Sequence, residues 1–229
     1  MKKIFSGLLI VFVLLFYGCL EDDGYSLGKY WVDFGLVEKQ GTGSFDFRIK
    51  TDHEDILYPV AADYPLEVSD GNRVLINYTL LGEKKITGST GEYYIRINSL
   101  KKILKKGVID ITSQNKDSIG NDPIVVSDHW VANNLLNLKL KYWGDTEVHY
   151  INLVKKPGTL VAASQPVELE LRHNRRGDEN KFPFTAYVSF DLSAIKIAGL
   201  DSVRYKVTAT DYDGDMLTFS GIYRYNRTN

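Results

Sequence analysis

Near the C-terminus, Asp211-Tyr212-Asp213-Gly214-Asp215 sets three carboxylates at alternate positions, a pattern in which hard oxygen ligands can gather around calcium. An EF-hand loop begun at Asp211 needs glycine at its sixth place and glutamate at its twelfth. The chain has Met216 and Ile222 there. Asp213-Gly214 between apolar runs instead signals a type I′ hairpin, which leaves Asp211, Asp213 and Asp215 as weak metal candidates only. The four histidines, His53, His129, His149 and His173, are scattered at separations unlike a metal-ligand spacing, and each is expected to be structural. No Gly-x-Ser-x-Gly elbow, phosphate loop or His-Glu-x-x-His occurs. Carboxylates are plentiful, but sequence alone cannot place two of them at glycosidase spacing. The expectation is no catalytic residue, no metal and no cofactor, with a hydrolase the least supported reading.

The one cysteine, Cys19, follows a different logic. Lys2 and Lys3 precede an unbroken apolar run of ten residues, Leu8 to Tyr17, then Gly18. That run has the length of a signal h-region and is too short for a bilayer, which takes about 20 residues. The stretch resembles a bacterial lipoprotein signal, although Phe16 stands where an aliphatic residue is usual. Cys19 would then be the first mature residue and carry the lipid on its thiol, which removes it from catalysis. Leu20, Glu21, Asp22 and Asp23 resemble the acidic tetrad that exports Bacteroidetes lipoproteins to the outer surface. The expected address is the bacterial outer membrane, facing either the surface or the periplasm.

The body that remains carries strand signals almost throughout. With 28 basic and 29 acidic residues the net charge is −1, and nothing points to nucleic acid. In the first half, 30–37, 44–49, 73–78, 93–97 and 108–111 read as strands, and Leu100 to Lys106 as one short helical turn with its lysines in solvent. This suits a small barrel of the OB type over 29–113, after a signal peptide at 1–18 and a lipidated tether at 19–28. The polar stretch 114–123 reads as a linker. From 124 to 229, seven segments without a helix read as an antiparallel β-sandwich: 124–131, 136–142, 148–154, 167–172, 186–192, 203–212 and 217–225. The fold class is all-β.

Several motifs in that second half carry a family resemblance. Asp122-Pro123-Ile124 through Trp130, Leu135 to Leu138, His149 to Val154, Leu169 to Asn174 with Gly177-Asp178, and Tyr187 to Leu192 resemble the NigD-like lipoproteins of Bacteroidetes. Asp201-Ser202-Val203 and Tyr212-Asp213-Gly214 fit as well. The resemblance implies an N-terminal OB-like domain followed by a β-sandwich. It brings a bacteriocin-immunity label and no catalytic residues.

Three tripeptides invite further readings. Arg176-Gly177-Asp178 spells an integrin triplet, but lies in a charged segment expected to be a loop. Asp117-Ser118-Ile119 and Asp201-Ser202-Val203 look like O-glycosylation acceptors of Bacteroidetes, with Ser118 the more accessible candidate. Three functions follow from the residues and the resemblance: a lipid-anchored binder of a protein or peptide, a surface glycan-binding accessory protein, and a hydrolase. Lys101, Lys102, Lys105 and Lys106 are too few and too local for a nucleic-acid groove. For the anchor, Cys19→Ala should abolish palmitate labelling and mature processing. A variant that is still processed and membrane-bound would refute the lipoprotein reading.

Overall fold

The computed structural model describes residues 26–158 and 165–225, so the expected signal peptide, Cys19 and Leu20 to Asp23 lie outside the described residues. Five strands form a closed barrel: β1 (Trp31–Lys39), β2 (Phe47–Thr51), β3 (Ile56–Ala62), β4 (Arg73–Thr87) and β5 (Thr90–Gly107). Their order is β3-β2-β1-β4-β5, and a parallel β3–β5 pairing shuts the ring. Alternate residues point inward and bury Val37, Phe47, Ile49, Leu57, Val74, Ile76, Ile95 and Ile97. Gly35 is needed on β1, because a Cβ there would lie 2.3 Å from the Ile49 side chain. Pro59 hides β3 from a pattern reading. It is tolerated because the β3–β5 register shifts between Pro59 and Ala61.

The second body is a sandwich built from β6 (Ile109–Asp110), β7 (Val125–Ala132), β8 (Leu135–Gly144), β9 (Tyr150–Lys155), β10 (Val167–Asn174), β11 (Phe182–Asp191), β12 (Ser202–Thr210) and β13 (Met216–Arg224). One of its sheets runs β5-β11-β8-β7 and is continuous with the barrel. The other runs β13-β12-β10-β9-β6. Leu136, Leu138, Leu140, Leu153, Leu169, Leu171, Phe190 and Val207 fill the space between them.

The all-β, barrel-then-sandwich architecture is therefore present, with four corrections. Leu100–Lys106 is strand, not helix: Ile103 is buried while its neighbour Leu104 is exposed, as successive strand residues point to opposite faces. Ile109–Asp110 does not close the barrel but pairs in parallel with β9, and Val108 belongs to the sandwich core. The segment 114–123 is no free linker. It holds a helical turn, α1 (Lys116–Ile119), with Ile119 buried, and Asp122 N–H donates to His173 C=O. The sandwich is mixed rather than antiparallel throughout, since β10–β12, β5–β11 and β6–β9 run parallel.

A buried ion pair locks barrel to sandwich. Arg73, at the head of β4, is fully buried and grips Asp52 through both terminal nitrogens, with Nη1 to Oδ1 at 2.6 Å. Trp130 Nε1 of β7 donates to Asp52 Oδ2 at 2.6 Å and Asn133 Nδ2 to Oδ1 at 3.2 Å. Four donors thus satisfy one carboxylate. Arg73 Nε donates to Ser189 Oγ at 3.3 Å, and Ser189 passes a bond to Asn137 Oδ1 at 2.6 Å. The guanidinium lies 5.4 Å from the Phe34 ring, which also packs on Trp130 and Tyr187. Removing one partner of such a pair strands a buried charge. Arg73→Met should cost about 3–5 kcal/mol in urea unfolding, and adding Asp52→Asn should recover part of it. A loss below about 1 kcal/mol would show the pair to be incidental.

Candidate functional site

The structure gathers two of the scattered histidines. His149 precedes β9, His173 lies on the adjacent β10, and Asp178 sits in the loop that follows. His149 Nδ1 is 2.8 Å from His173 Nε2, and His149 Nε2 is 3.0 Å from Asp178 Oδ2. His173 Nδ1 is 2.8 Å from the Pro123 carbonyl, which can only accept, so that nitrogen carries the proton. Neutral His173 then accepts at Nε2 from His149. Asp178 also accepts from the Asp145 and Thr146 backbone N–H groups, at 2.6 and 3.3 Å. Those bonds, Asp145 first and then His149, hold its carboxyl well below the usual carboxylate range against the opposing effect of burial. Burial pushes His173 down. Gly144 makes the approach possible, since a Cβ there would lie 2.9 Å from both Asp178 Oδ2 and His149 Nε2.

A carboxylate–imidazole–imidazole chain is equipped to move protons, but it is closed to substrate. The His149 and Asp178 side chains are only 2% and 5% exposed, and Tyr142 packs on both imidazole rings. Asp178 therefore points inward, and Arg176-Gly177-Asp178 presents no integrin triplet. The remaining histidines stay apart: His53 lies 3.8 Å from Asp33, and His129 stacks on Phe219. Among the described residues no group of three or more metal ligands forms.

The Asp211 to Asp215 segment is a β12–β13 hairpin loop. Only Gly214 has positive φ, and Gly214 N–H donates to Asp211 C=O. That geometry is a type I turn with a left-handed glycine, not the expected type I′, because Asp213 stays right-handed. Asp211 Oδ1 accepts from the Asp213 and Asp215 N–H groups, so it serves the turn. Ser118 is exposed on α1, whereas Ser202 is half-buried at the start of β12. Beside the Asp52–Arg73 pair, Lys50, Glu54, Asn133, Asn134 and Arg224 border a polar cleft of about 320 Å³. No pattern in the sequence announced this junction. The only local sign was an arginine heading the apolar run Val74-Leu75-Ile76.

Comparison with known families matches residues 34–103 to the NigD-like N-terminal OB domain and residues 107–220 to the NigD-like C-terminal beta sandwich domain. The chain belongs to the NigD-like family. Among solved structures it is similar to a protein described as toxin-related from Parabacteroides distasonis, at 24% identity and TM-score 0.72, covering 86% of this chain and 94% of that one. A protein of unknown function from Bacteroides vulgatus is similar at 24% identity and TM-score 0.70, covering 87% and 92%. A NigD-like immunity protein from Bacteroides caccae is similar at 18% identity and TM-score 0.66, covering 89% and 100%. At these identities the likeness is one of fold. No curated protein matches the chain.

Buried His173 gives this NigD-like chain a defined acid response. Unfolded, a histidine takes a proton near pH 6.5, while folded His173 resists it, so the unfolded state binds more protons as pH falls. Stability is fully present above about pH 6.5 and declines below it, with a further loss below about pH 4 as Asp178 is forced to protonate. The urea midpoint should be lower at pH 5 than at pH 7.5. His173→Asn should be less stable at pH 7.5 but fall less steeply, and an unchanged slope would remove His173 as the cause.

Proposed function

We propose that the chain is a lipid-anchored envelope protein that binds a protein or peptide partner without catalysing a reaction, with bacteriocin immunity the family-derived example. The observation that carries this reading is the state of the two clusters equipped for chemistry. Asp52–Arg73 and His149–His173–Asp178 are both buried, and their hydrogen-bonding groups are turned on one another. What meets solvent is a two-body surface braced from within. Cys19 is the lipid site and Leu20 to Asp23 the export signal in this reading, with the outer membrane as the address. The name of the similar Bacteroides caccae structure, a NigD-like immunity protein, lends support to the immunity role.

Two aromatic pairs that reach the surface, each joining an exposed ring to a half-buried one, argue for a protein partner over a sugar. Tyr58 and Tyr94 are tilted by 53°, and Trp143 meets Tyr212 edge-on at 74°, so neither pair offers a flat platform for a pyranose ring. Deleting the gene should sensitise the host to a bacteriocin from its own niche, and restoring the wild-type gene should return resistance. Unchanged killing across a panel of such bacteriocins would sink the immunity role.

A further inference from the structure

β5 covers only part of β11. Their parallel ladder joins Leu104–Gly107 to Val188–Asp191, and before Leu104 β5 turns away to pair with β4 and β3. Phe182–Tyr187 is thus laddered to β8 alone among the described strands. Two bonds and a turn tell which backbone groups this leaves free. Trp143 N–H donates to Tyr212 OH instead of crossing to Pro183, its partner in register. Leu192 N–H donates to Asn134 C=O just past the other end of the ladder. The two-residue turn Asn133-Asn134 closes on the pair Ala132–Leu135, so odd-numbered residues of β8 bond to β7.

Bonded and non-bonded pairs alternate in an antiparallel ladder, so even-numbered residues of β11 bond to β8 and odd-numbered ones point away. Pro183 C=O, both backbone groups of Thr185, and Tyr187 N–H therefore line an open edge. Pro183 sits where its missing N–H loses no bond. The side chains around this edge divide by face. On the inner face Phe182, Phe184 and Leu104 are 57%, 40% and 52% exposed, which is unusual for large apolar residues continuing a core strand. On the outer face stand Lys105, beside Ser189, and Lys139 and Lys141, opposite Tyr187 and Thr185. Among the described residues none of these lysines has a carboxylate partner.

We propose that the bare half of β11 is a docking edge for an extended segment of a partner protein, which adds as a strand where β5 departs. The segment it fits has apolar residues at alternate positions, against Phe184 and Leu104, and acidic residues between them, against Lys105, Lys139 and Lys141. Backbone bonds to Thr185 supply the register, and the two faces supply the selectivity. This rests on the partner-binding reading and names its surface.

The test uses the full mature chain and two short capped peptides, one alternating valine with aspartate and one alternating valine with lysine. In the free protein the Thr185 amide should exchange with deuterium quickly while those of Phe184 and Ala186 are protected. The aspartate peptide should slow Thr185 exchange and bind at least about tenfold tighter than the lysine peptide, with the difference shrinking in high salt. Thr185→Pro should abolish binding and Thr185→Ala should retain it. Phe184→Asp should weaken binding without touching the backbone. Equal binding of both peptides, or full binding by Thr185→Pro, overturns the proposal. So does protection of Thr185 that grows with protein concentration alone, which would make the occupant a second copy. Bacteriocin resistance that survives Thr185→Pro would remove this edge and leave partner binding standing.

Discussion

The ion pair of Asp52 and Arg73 is the constraint around which the two bodies are arranged. A fully buried guanidinium is tolerable only where its charge and donors are met. Meeting them recruits Asp52 from the barrel and Ser189 from the sandwich, and the Asp52 carboxylate in turn accepts from Trp130 and Asn133 of the sandwich. The aromatic packing of Phe34 on Trp130 and Tyr187 lies over the guanidinium. Directional bonds of this kind fix a relative orientation, which apolar contact alone leaves looser. The geometry of the junction cleft and of the β5–β11 fork both follow from that orientation.

The histidine cluster shows the same economy on a smaller scale. It ties β9, β10 and the loop carrying Asp178 to the Pro123 carbonyl, so a stretch expected to be a linker becomes part of the sandwich. Its resemblance to a proton relay is real in composition and absent in access. An imidazole next to a carboxylate does chemistry only where a third group and a substrate can reach it.

Much of the architecture was legible because alternation is a local signal. Leu136 to Tyr142 and Val167 to Arg172 declare a wet face and a dry one without reference to the rest of the chain. What alternation cannot carry is partnership. Nothing in Ile109-Asp110 says that it pairs with β9 rather than with the barrel, and nothing local makes β10 and β12 parallel. Leu100, Ile103 and Leu104 fit a helical spacing as well as a strand, and β4 and β11 decide between them. His149, His173 and Asp178 were visible one by one but meet only through the β9–β10 register and the loop after it. Arg73 and Asp52 lie in unremarkable local sequence, and only the barrel's outer face turns them toward Trp130.

The continuity of β5 also imposes an order in time. Its last residues, Leu104 to Gly107, take their place only beside Val188 to Asp191, more than eighty residues later in the chain. During synthesis all five barrel strands are made long before β11, so the barrel can close while the far end of β5 waits unpaired. The later strands must then dock onto an end that is already anchored. Pairings so distant in sequence are slow to form, because the loop they close is long. The barrel thus acts as the template on which the sandwich is completed, and the late docking of β11 onto β5 is the slow step.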